Sequence, residues 1–330
     1  MIATPCPHPA APGAAPGAYA DIRPEISVVV PVYNAALTIA ETIGSVLAQT
    51  FSSFEIIAVD DDSSDASLDI LLAIAAQEPR LRVISQLNGG VSSARNLGVE
   101  VAAAPLVAFL DADDLWAPGK LAQHIGLHRD QPELAASYAR IAFIARDADT
   151  LEGARTVSTL CPNTPRLADV LGENPVCTAS NLVVRRDWFV MLGGFDQHLK
   201  FAEDQEFVAR LVSRGAKVDG IDDVLTGYRF SPDGLSMDLA QMHAGWRVLV
   251  DRYIDDGAVR ASLEALYCRY LARRLLRSGG SPLRALNFVV RGLRLDARSF
   301  MAERQRGLAT VLAACVAPLI PAAMRRRIFA

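Results

Sequence analysis

Residues 54–65 read FEIIAVDDDSSD, an apolar run from Phe54 to Val59 that stops at Asp60-Asp61-Asp62-Ser63-Ser64-Asp65. Ile56 to Val59 are apolar without alternation, the pattern of a strand covered on both faces. The same construction recurs at residues 106–114, where Leu106 to Leu110 runs into Asp111-Ala112-Asp113-Asp114. Two more runs fit strands, Ile26 to Val30 ending at Pro31, and Leu81 to Ser85. Between them the apolar period becomes that of helices. Thr38 and Glu41 have capping-box spacing, and Ile39, Ile43, Val46 and Leu47 share a helical face. Asp65 is placed to cap a helix striped by Leu68, Leu71, Leu72 and Ala75, and Ser92 or Ser93 opens a helix reaching about Ala103. Four such alternations predict an α/β domain with an open, mostly parallel sheet and helices on both faces. In such sheets ligands bind outside the carboxyl ends of the strands, where these acids stand.

After residue 140 the pattern loosens. A loop is expected over Asp147 to Pro165, a short strand at Val183 to Arg185, and a helix from Glu203 to Arg214 with Phe207, Val208 and Leu211 inward. Beyond Ser236 come arginine-rich amphipathic helices, at about 241–277 and 283–300, broken at Ser278-Gly279-Gly280-Ser281-Pro282. Three regions result: a disordered Ala/Pro-rich tail (1–23), the α/β domain (24–236) and an arginine-rich helical region (237–330).

The formal charge of −4 over 330 residues hides an asymmetry. From residue 241 onward 16 Arg and no Lys face 6 acids, a balance of +10, leaving −14 for the rest. An acidic body suits a metal site, and a basic end suits an anionic contact. Residues 241–330 read either as an interfacial element that docks on anionic lipid near a lipid-linked acceptor, or as helices packed on the α/β domain or a second copy. Nucleic acid is disfavoured because the arginines lack aromatic interleaving. Five scattered cysteines without C-x-x-C spacing argue against a disulfide framework or zinc site and suit a reducing compartment. The start has no basic, apolar leader, and the longest apolar stretch, Gly307 to Met324, is interrupted by Pro318 and Pro321. A cytoplasmic protein is expected, peripheral at most on the inner face of the plasma membrane.

Asp111 and Asp113 carry the chemistry. Carboxylates at i and i+2 of an extended segment point to one side and can approach one hard cation, which keeps positions open for diphosphate oxygens. The plainer reading is an Asx-type turn that ends the strand. Asp61 can accept a hydrogen bond from a nucleobase N–H, and Tyr33 can stack on the base or be a half-buried aromatic. Asn88-Gly89-Gly90-Val91-Ser92-Ser93-Ala94-Arg95-Asn96 looks like an anion site, with glycines, a helix start and the Arg95 charge, or else a Gly-Gly turn with a surface arginine.

Together these stretches, SVVVPVYNA, VLAQTFSSFEIIAVDDDSSD, NGGVSSARNLG and FLDADDLW, resemble the family 2 inverting glycosyltransferases of the GT-A fold, over about residues 25–235. The resemblance implies a hexosyltransferase-type enzyme that uses a nucleoside-diphosphate sugar, UDP-linked, and a divalent ion, Mg²⁺ or Mn²⁺. A saccharide or lipid-linked acceptor would serve cell-surface or extracellular polysaccharide synthesis. Pro31, Tyr33, Asp60 and Asp61 match its nucleotide contacts and Arg95 its diphosphate neighbour. Asp111, Asp113 and Asp114 match its metal and donor-sugar segment. Asp62 departs from the Gly the family usually has. Gly193-Gly194-Phe195-Asp196 followed by Glu203-Asp204 resembles its GGFD…ED stretch, giving Asp204 the role of catalytic base, whose ionised form a helix start would favour. Tyr228-Arg229-Phe230 with Gly234-Leu235-Ser236 resembles its closing segment, where Arg229 would touch donor or product. Asn181, Arg185 and Arg186 are placed to border an acceptor, and the histidines read as structural.

Three rivals fit less well. A nucleotidyltransferase needs a glycine-rich loop and a dinucleotide oxidoreductase a G-x-G-x-x-G where Pro31-Val32-Tyr33-Asn34 stands. A non-catalytic scaffold or membrane adaptor of the same fold has no need of Asp111, Asp113 and Asp204.

Overall fold

The computed structural model describes residues 23–145, 147–154, 156–161, 164–229 and 238–321, with Met324, Arg325 and Ile328. The tail 1–22 with Cys6, the segment 230–237 with Phe230, Gly234-Leu235-Ser236 and the 236/237 boundary, and Arg326-Arg327 lie outside the described residues.

The four apolar runs form parallel strands β1 (Ile26–Val32), β2 (Phe54–Asp60), β3 (Leu81–Ser85) and β4 (Leu106–Phe109), in the order β3-β2-β1-β4. β1 continues through Pro31, pairing Val32 with Asp60. Its burial is two-sided: Val28 and Val30 join one apolar cluster and Val29 the other.

Helices α1 (Ile39–Leu47), α2 (Ser67–Ala75) and α3 (Val91–Glu100) alternate with the strands. The capping box expected of Thr38 and Glu41 does not form. Thr38 Oγ1 donates to the Ala112 carbonyl at 2.8 Å and Glu41 pairs with Arg229, so both side chains serve the end of β4 instead. Asp65 does accept the Ser67 N–H at 2.9 Å, but Leu72 is 51% exposed and the inward face is Ser67 and Leu71, flanked by Ile70 and Ile74. α3 ends three residues before Ala103. It lies so close on β1 that a Cβ at Gly98 would come within 2.4 Å of Val29 Cγ1.

The sheet extends through β5 (Leu115–Trp116), β6 (Leu134–Ile144), β7 (Thr156–Val157), β8 (Val183–Arg185) and β9 (Lys217–Arg229), in the order β3-β2-β1-β4-β8-β6-β9-β5, with β7 on β6. β8 runs against both neighbours, while β6 and β9 resume the direction of β4. The long strands β6 and β9 were not expected. LAASYARIAFI is rich in alanine and KVDGIDDVLTGYR in acids and glycine, and their ladder carries register shifts, so neither shows a clean strand period. Helices α4 (Lys120–Asp130), α5 (Leu167–Glu173), α6 (Arg186–Met191) and α7 (Glu203–Ser213) complete this half.

The helix expected over 241–277 is two, α8 (Leu239–Asp251) and α9 (Gly257–Arg277), because Asp256 accepts the N–H groups of Ala258 and Val259 and starts a new helix. α10 (Pro282–Phe300) follows the expected break, capped by Ser281 with Pro282 in its first turn, and α11 (Arg304–Val316) follows. These helices pack on the sheet domain. Trp246 Nε1 donates to the Leu171 carbonyl at 2.6 Å, buried Arg269 pairs with Glu173, and one apolar cluster joins Leu171, Phe207, Trp246, Leu271 and Phe300. No helix among the described residues is long and apolar enough to cross a membrane.

A polar line runs through the core beside the inner strands. Lys120, fully buried, reaches His124 Nε2 at 3.2 Å, His124 Nδ1 meets Ser137 Oγ at 2.7 Å, and Ser137 Oγ meets His128 Nε2 at 3.0 Å. While protonated, Lys120 can only donate, which makes His124 Nε2 the acceptor and orders the protons along the line below about pH 7. Burial pulls Lys120 down to about 7 and keeps both imidazoles neutral. The unfolded chain therefore holds a proton between pH 7 and 10 that the folded one lacks, and this group makes stability rise with pH there. Urea unfolding of Lys120→Met should lose a rise on the order of 2–3 kcal/mol between pH 7 and 9.5; an unchanged slope would show that Lys120 stays charged when folded.

Candidate active site

The carboxyl ends of β1, β2 and β4 converge, and short polar side chains tie their loops together. Asn34 Oδ1 accepts the Ser64 N–H at 2.8 Å, and Asp65 Oδ2 accepts that of Ala36 at 3.0 Å. Asp62 sits at φ 66°, a left-handed conformation that glycine adopts freely and Asp tolerates, which accounts for the departure noted at this position. Pro31 is buried in β1, whereas Tyr33 is 56% exposed with its ring open to a planar ligand.

Asp60 and Asp61 are both buried but differently engaged. Asp61 accepts the N–H groups of Gly89 (2.8 Å) and Gly90 (2.9 Å) and the Gln86 amide (2.7 Å), so its carboxylate shapes the Gly-Gly turn. Asp60 has one long contact, 3.4 Å from the Ser63 N–H, and its Oδ1 is buried without a partner. Asp60 thus holds the vacant acceptor that the sequence reading gave to Asp61.

Arg95 is not a surface residue. It leaves the first turns of α3 and is 3% exposed, donating to Asp111 Oδ1 at 2.5 Å and Glu203 Oε1 at 2.8 Å over the Phe195 ring. The two carboxylates hold its charge firmly in place and raise its pKa. Arg95 therefore joins the end of β4 to the start of α7, a role that gives Glu203 a job sequence reasoning missed.

Asp111 to Asp114 is a turn, not an extended segment. Asp114 N donates to the Asp111 carbonyl at 3.1 Å, while the hydroxyls of Thr38 and Thr42 grip the Ala112 carbonyl and bend the chain. The turn leaves negative charge unbalanced. Burial and the Asp111 charge raise Asp113 to about 6, and burial with both neighbours raises Asp114 well above the carboxylate range. Asp114 Oδ1 accepts the Arg229 N–H at 2.9 Å and its Oδ2 is buried without a partner. Among the described residues no three Asp, Glu, His or Cys side chains converge to enclose a metal ion. The excess charge and the orphaned oxygen fit a divalent ion held by a partial protein ligand set that other ligands complete.

Arg229 closes this turn from β9. Its guanidinium is buried and donates to Glu41, the Ala148 carbonyl (2.7 Å) and the Asp113 carbonyl (3.4 Å), which makes it a brace of the acid turn rather than an open charge. The segment before β8 contributes Thr178 Oγ1, 3.4 Å from Asp111 Oδ2, and Ser180 Oγ, which accepts the Asp111 N–H at 3.0 Å. Because β8 is inverted, its beginning rather than its end faces the site. Arg185 and Arg186, at its far end, pair with Asp187 and with the Val99 and Glu100 carbonyls, and Asn181 clamps Ala139 and Val176. Asn181 is fully buried, so its side chain is not open to an acceptor.

Asp204 lies partly buried in the first turn of α7, after Ala202 in the left-handed conformation at φ 63°. Burial and the adjacent Glu203 raise it to about 7, against the lowering pull of Arg95, so these effects outweigh the helix start expected to favour ionisation. A group near 7 can both take and give a proton at neutral pH. Its other neighbours come from α9 and the loop before β8. Cys177 and Tyr270 feel the Asp204 charge, and Arg274 donates to Tyr270 Oη (3.0 Å) and Tyr228 Oη (3.1 Å). No spacing in the α9 sequence marks these residues. The four described cysteines form no disulfide with one another.

The profile of glycosyl transferase family 2 matches residues 27–192. The uncharacterized glycosyltransferase EpsJ of Bacillus subtilis is 30% identical over 270 residues, covering 77% of this chain and 77% of its own. The succinoglycan biosynthesis protein ExoU of Rhizobium meliloti is 31% identical over 278 residues, covering 76% and 78%. Among solved structures, Staphylococcus aureus TarS 1-349 in complex with UDP-GlcNAc aligns with TM-score 0.58 at 19% identity, over 89% of this chain and 92% of that one. The mannosyltransferase PcManGT of Pyrobaculum calidifontis, in complex with GDP-Man and Mn²⁺, aligns with TM-score 0.51 at 22% identity, over 92% and 78%.

Proposed function

We propose that this chain, which belongs to glycosyl transferase family 2 and is a glycosyltransferase, moves a hexose-type sugar with inversion from a UDP-linked donor to a hydroxyl of a saccharide or lipid-linked acceptor in polysaccharide assembly. One observation carries the reading: Asp204, poised near 7, is joined through Glu203, Arg95 and Asp111 to an acid turn with unbalanced charge. The UDP-GlcNAc bound by TarS and the succinoglycan named for ExoU support the donor and the setting. The catalytic unit is taken as residues 24–236, with 237–330 as its helical companion.

In this reading Asp204 takes the proton of the acceptor hydroxyl as its oxygen bonds to the anomeric carbon, and the bond to the diphosphate breaks on the opposite face. Tyr33 stacks on the base, Asp60 Oδ1 receives a nucleoside N–H or O–H, and Asp61 fixes the Gly-Gly turn near the diphosphate. Asp111 and Asp113, backed by Asp114, would hold the divalent ion, Mg²⁺ or Mn²⁺, which when bound offsets charge on the departing diphosphate.

A thermal-shift series with UDP, GDP and dTDP, each with and without Mn²⁺, tests this. Saturation by UDP with Mn²⁺ should add about 2–3 kcal/mol, a rise of several degrees, and Asp113→Ala should lose most of it. A full metal-dependent shift in Asp113→Ala would remove the acid turn from donor binding.

The exposed face of α11 supports peripheral membrane contact by region 241–330. Leu308, Leu312 and Val316 lie at successive turns and are 52%, 56% and 45% exposed, with Leu319 beyond them. Flotation with phosphatidylglycerol vesicles should carry the protein up, and Leu308→Ser/Leu312→Ser should reduce this severalfold; flotation unchanged by the pair would place the contact elsewhere.

A further inference from the structure

α9 and α11 flank an open, solvent-facing cavity of about 690 Å³ lined by Arg273, Arg277, Arg304, Arg306, Gln305 and Glu303. Its positive charge is only partly balanced. Glu173 accepts from Arg269 (2.8 Å) and Arg306 (3.1 Å), and Glu303 accepts from the same two arginines at 2.9 Å each. Both acids are thereby neutralised, and Arg273, Arg277 and Arg304 form no salt bridge with a described residue. Arg273 responds as a crowded cation does. Burial lowers it to about 10, and the charges of Arg277, Arg306 and Arg269 add to the fall. Arg277 is steadied against the Phe143 ring at 5.6 Å. The first turn of α11, where Glu303 provides no side-chain cap, adds N–H groups that have no acceptor within the helix.

We propose that this cavity binds a phosphoryl group of the acceptor. Guanidinium groups offer paired donors that match phosphate oxygens, and a helix start adds N–H groups of the same polarity. The position suits an acceptor. Arg277 lies over the Phe143 ring, Phe143 meets Tyr228 edge-on at 5.9 Å, and Tyr228 accepts from Arg274, so a line of contacts leads from the cavity to the residues around Asp204. That the phosphoryl bearer is the acceptor rests on the glycosyltransferase reading, whereas phosphoryl binding itself does not. The same chemistry occurs in a soluble phosphorylated saccharide and in a lipid head group.

Calorimetric titration of the full chain with inorganic pyrophosphate, without divalent metal, measures the site directly. Arg273→Gln/Arg277→Gln should weaken binding at least tenfold, and the exposed single variant Arg304→Gln, which leaves the core untouched, severalfold. Asp113→Ala should leave it unchanged. Equal affinity in all the arginine variants, or a loss confined to Asp113→Ala, overturns the proposal. Absence of a UDP shift in the parent would sink the donor reading yet leave this titration intact. Flotation with phosphatidylglycerol vesicles separates the sources. Loss in Arg273→Gln/Arg277→Gln supports phosphoryl binding from a head group, and retention alongside weakened pyrophosphate supports a soluble phosphorylated acceptor.

Discussion

Asp204→Asn is expected to lower the transfer rate by about 10²–10⁴-fold while UDP affinity stays within roughly threefold of the parent. The amide keeps the shape of the side chain but cannot take the acceptor proton. The parent should gain activity as pH rises through about 7, because burial and Glu203 place the Asp204 carboxyl there and the base works only when ionised. This limb should vanish from whatever residual rate the variant retains. Steady-state release of UDP against pH for both proteins gives the answer. A variant as active as its parent, or a parent rate flat from pH 5.5 to 8, would take the role of base away from Asp204.

Arg95→Met is expected to cost about 3–5 kcal/mol in urea unfolding, nearer the lower figure because its partners are partly wet. Asp111 and Glu203 would lose their common counter-charge, and the acids lie too far apart in sequence to relax independently of the strand and helix that carry them. Arg95→Lys should recover little, since the guanidinium reaches Asp111 and Glu203 from two separate nitrogens and a single compact ammonium lacks that span. Adding Glu203→Gln to Arg95→Met should restore part of the loss by removing one stranded charge. A cost under about 1 kcal/mol would mean that solvent already screens the trio and that Arg95 is free for a ligand.

The parallel half of the sheet was legible because its strands are continuous apolar runs that end in acids, a signal local to each run. The capping pair Thr38 and Glu41 misled for an instructive reason. Their spacing matched a local motif, but the bonds they make lie some seventy residues away or more, at Ala112 and Arg229. β6 and β9 are not legible because pairing with each other and with neighbouring strands, not intrinsic propensity, makes an alanine-rich or acid-bearing stretch extended. The site divides the same way. Acids at strand ends could be listed from the sequence, yet whether Asp60 or Asp61 keeps a vacant oxygen depends on where the Gly-Gly turn folds. The wall from Cys177, Tyr270 and Arg274 depends on α9 docking, which no spacing encodes.

That docking restricts how this enzyme can be rebuilt. With Trp246, Leu271 and Phe300 in the same apolar cluster as Leu171 and Phe207, neither half brings a finished surface to a junction. A chimera that exchanged only the trailing helices for those of a cousin would leave greasy, mismatched faces and would tend to precipitate. Changes of acceptor preference should therefore come from coordinated replacements on both sides of that seam, and breeding schemes that shuffle whole segments should be screened for solubility before they are screened for sugar.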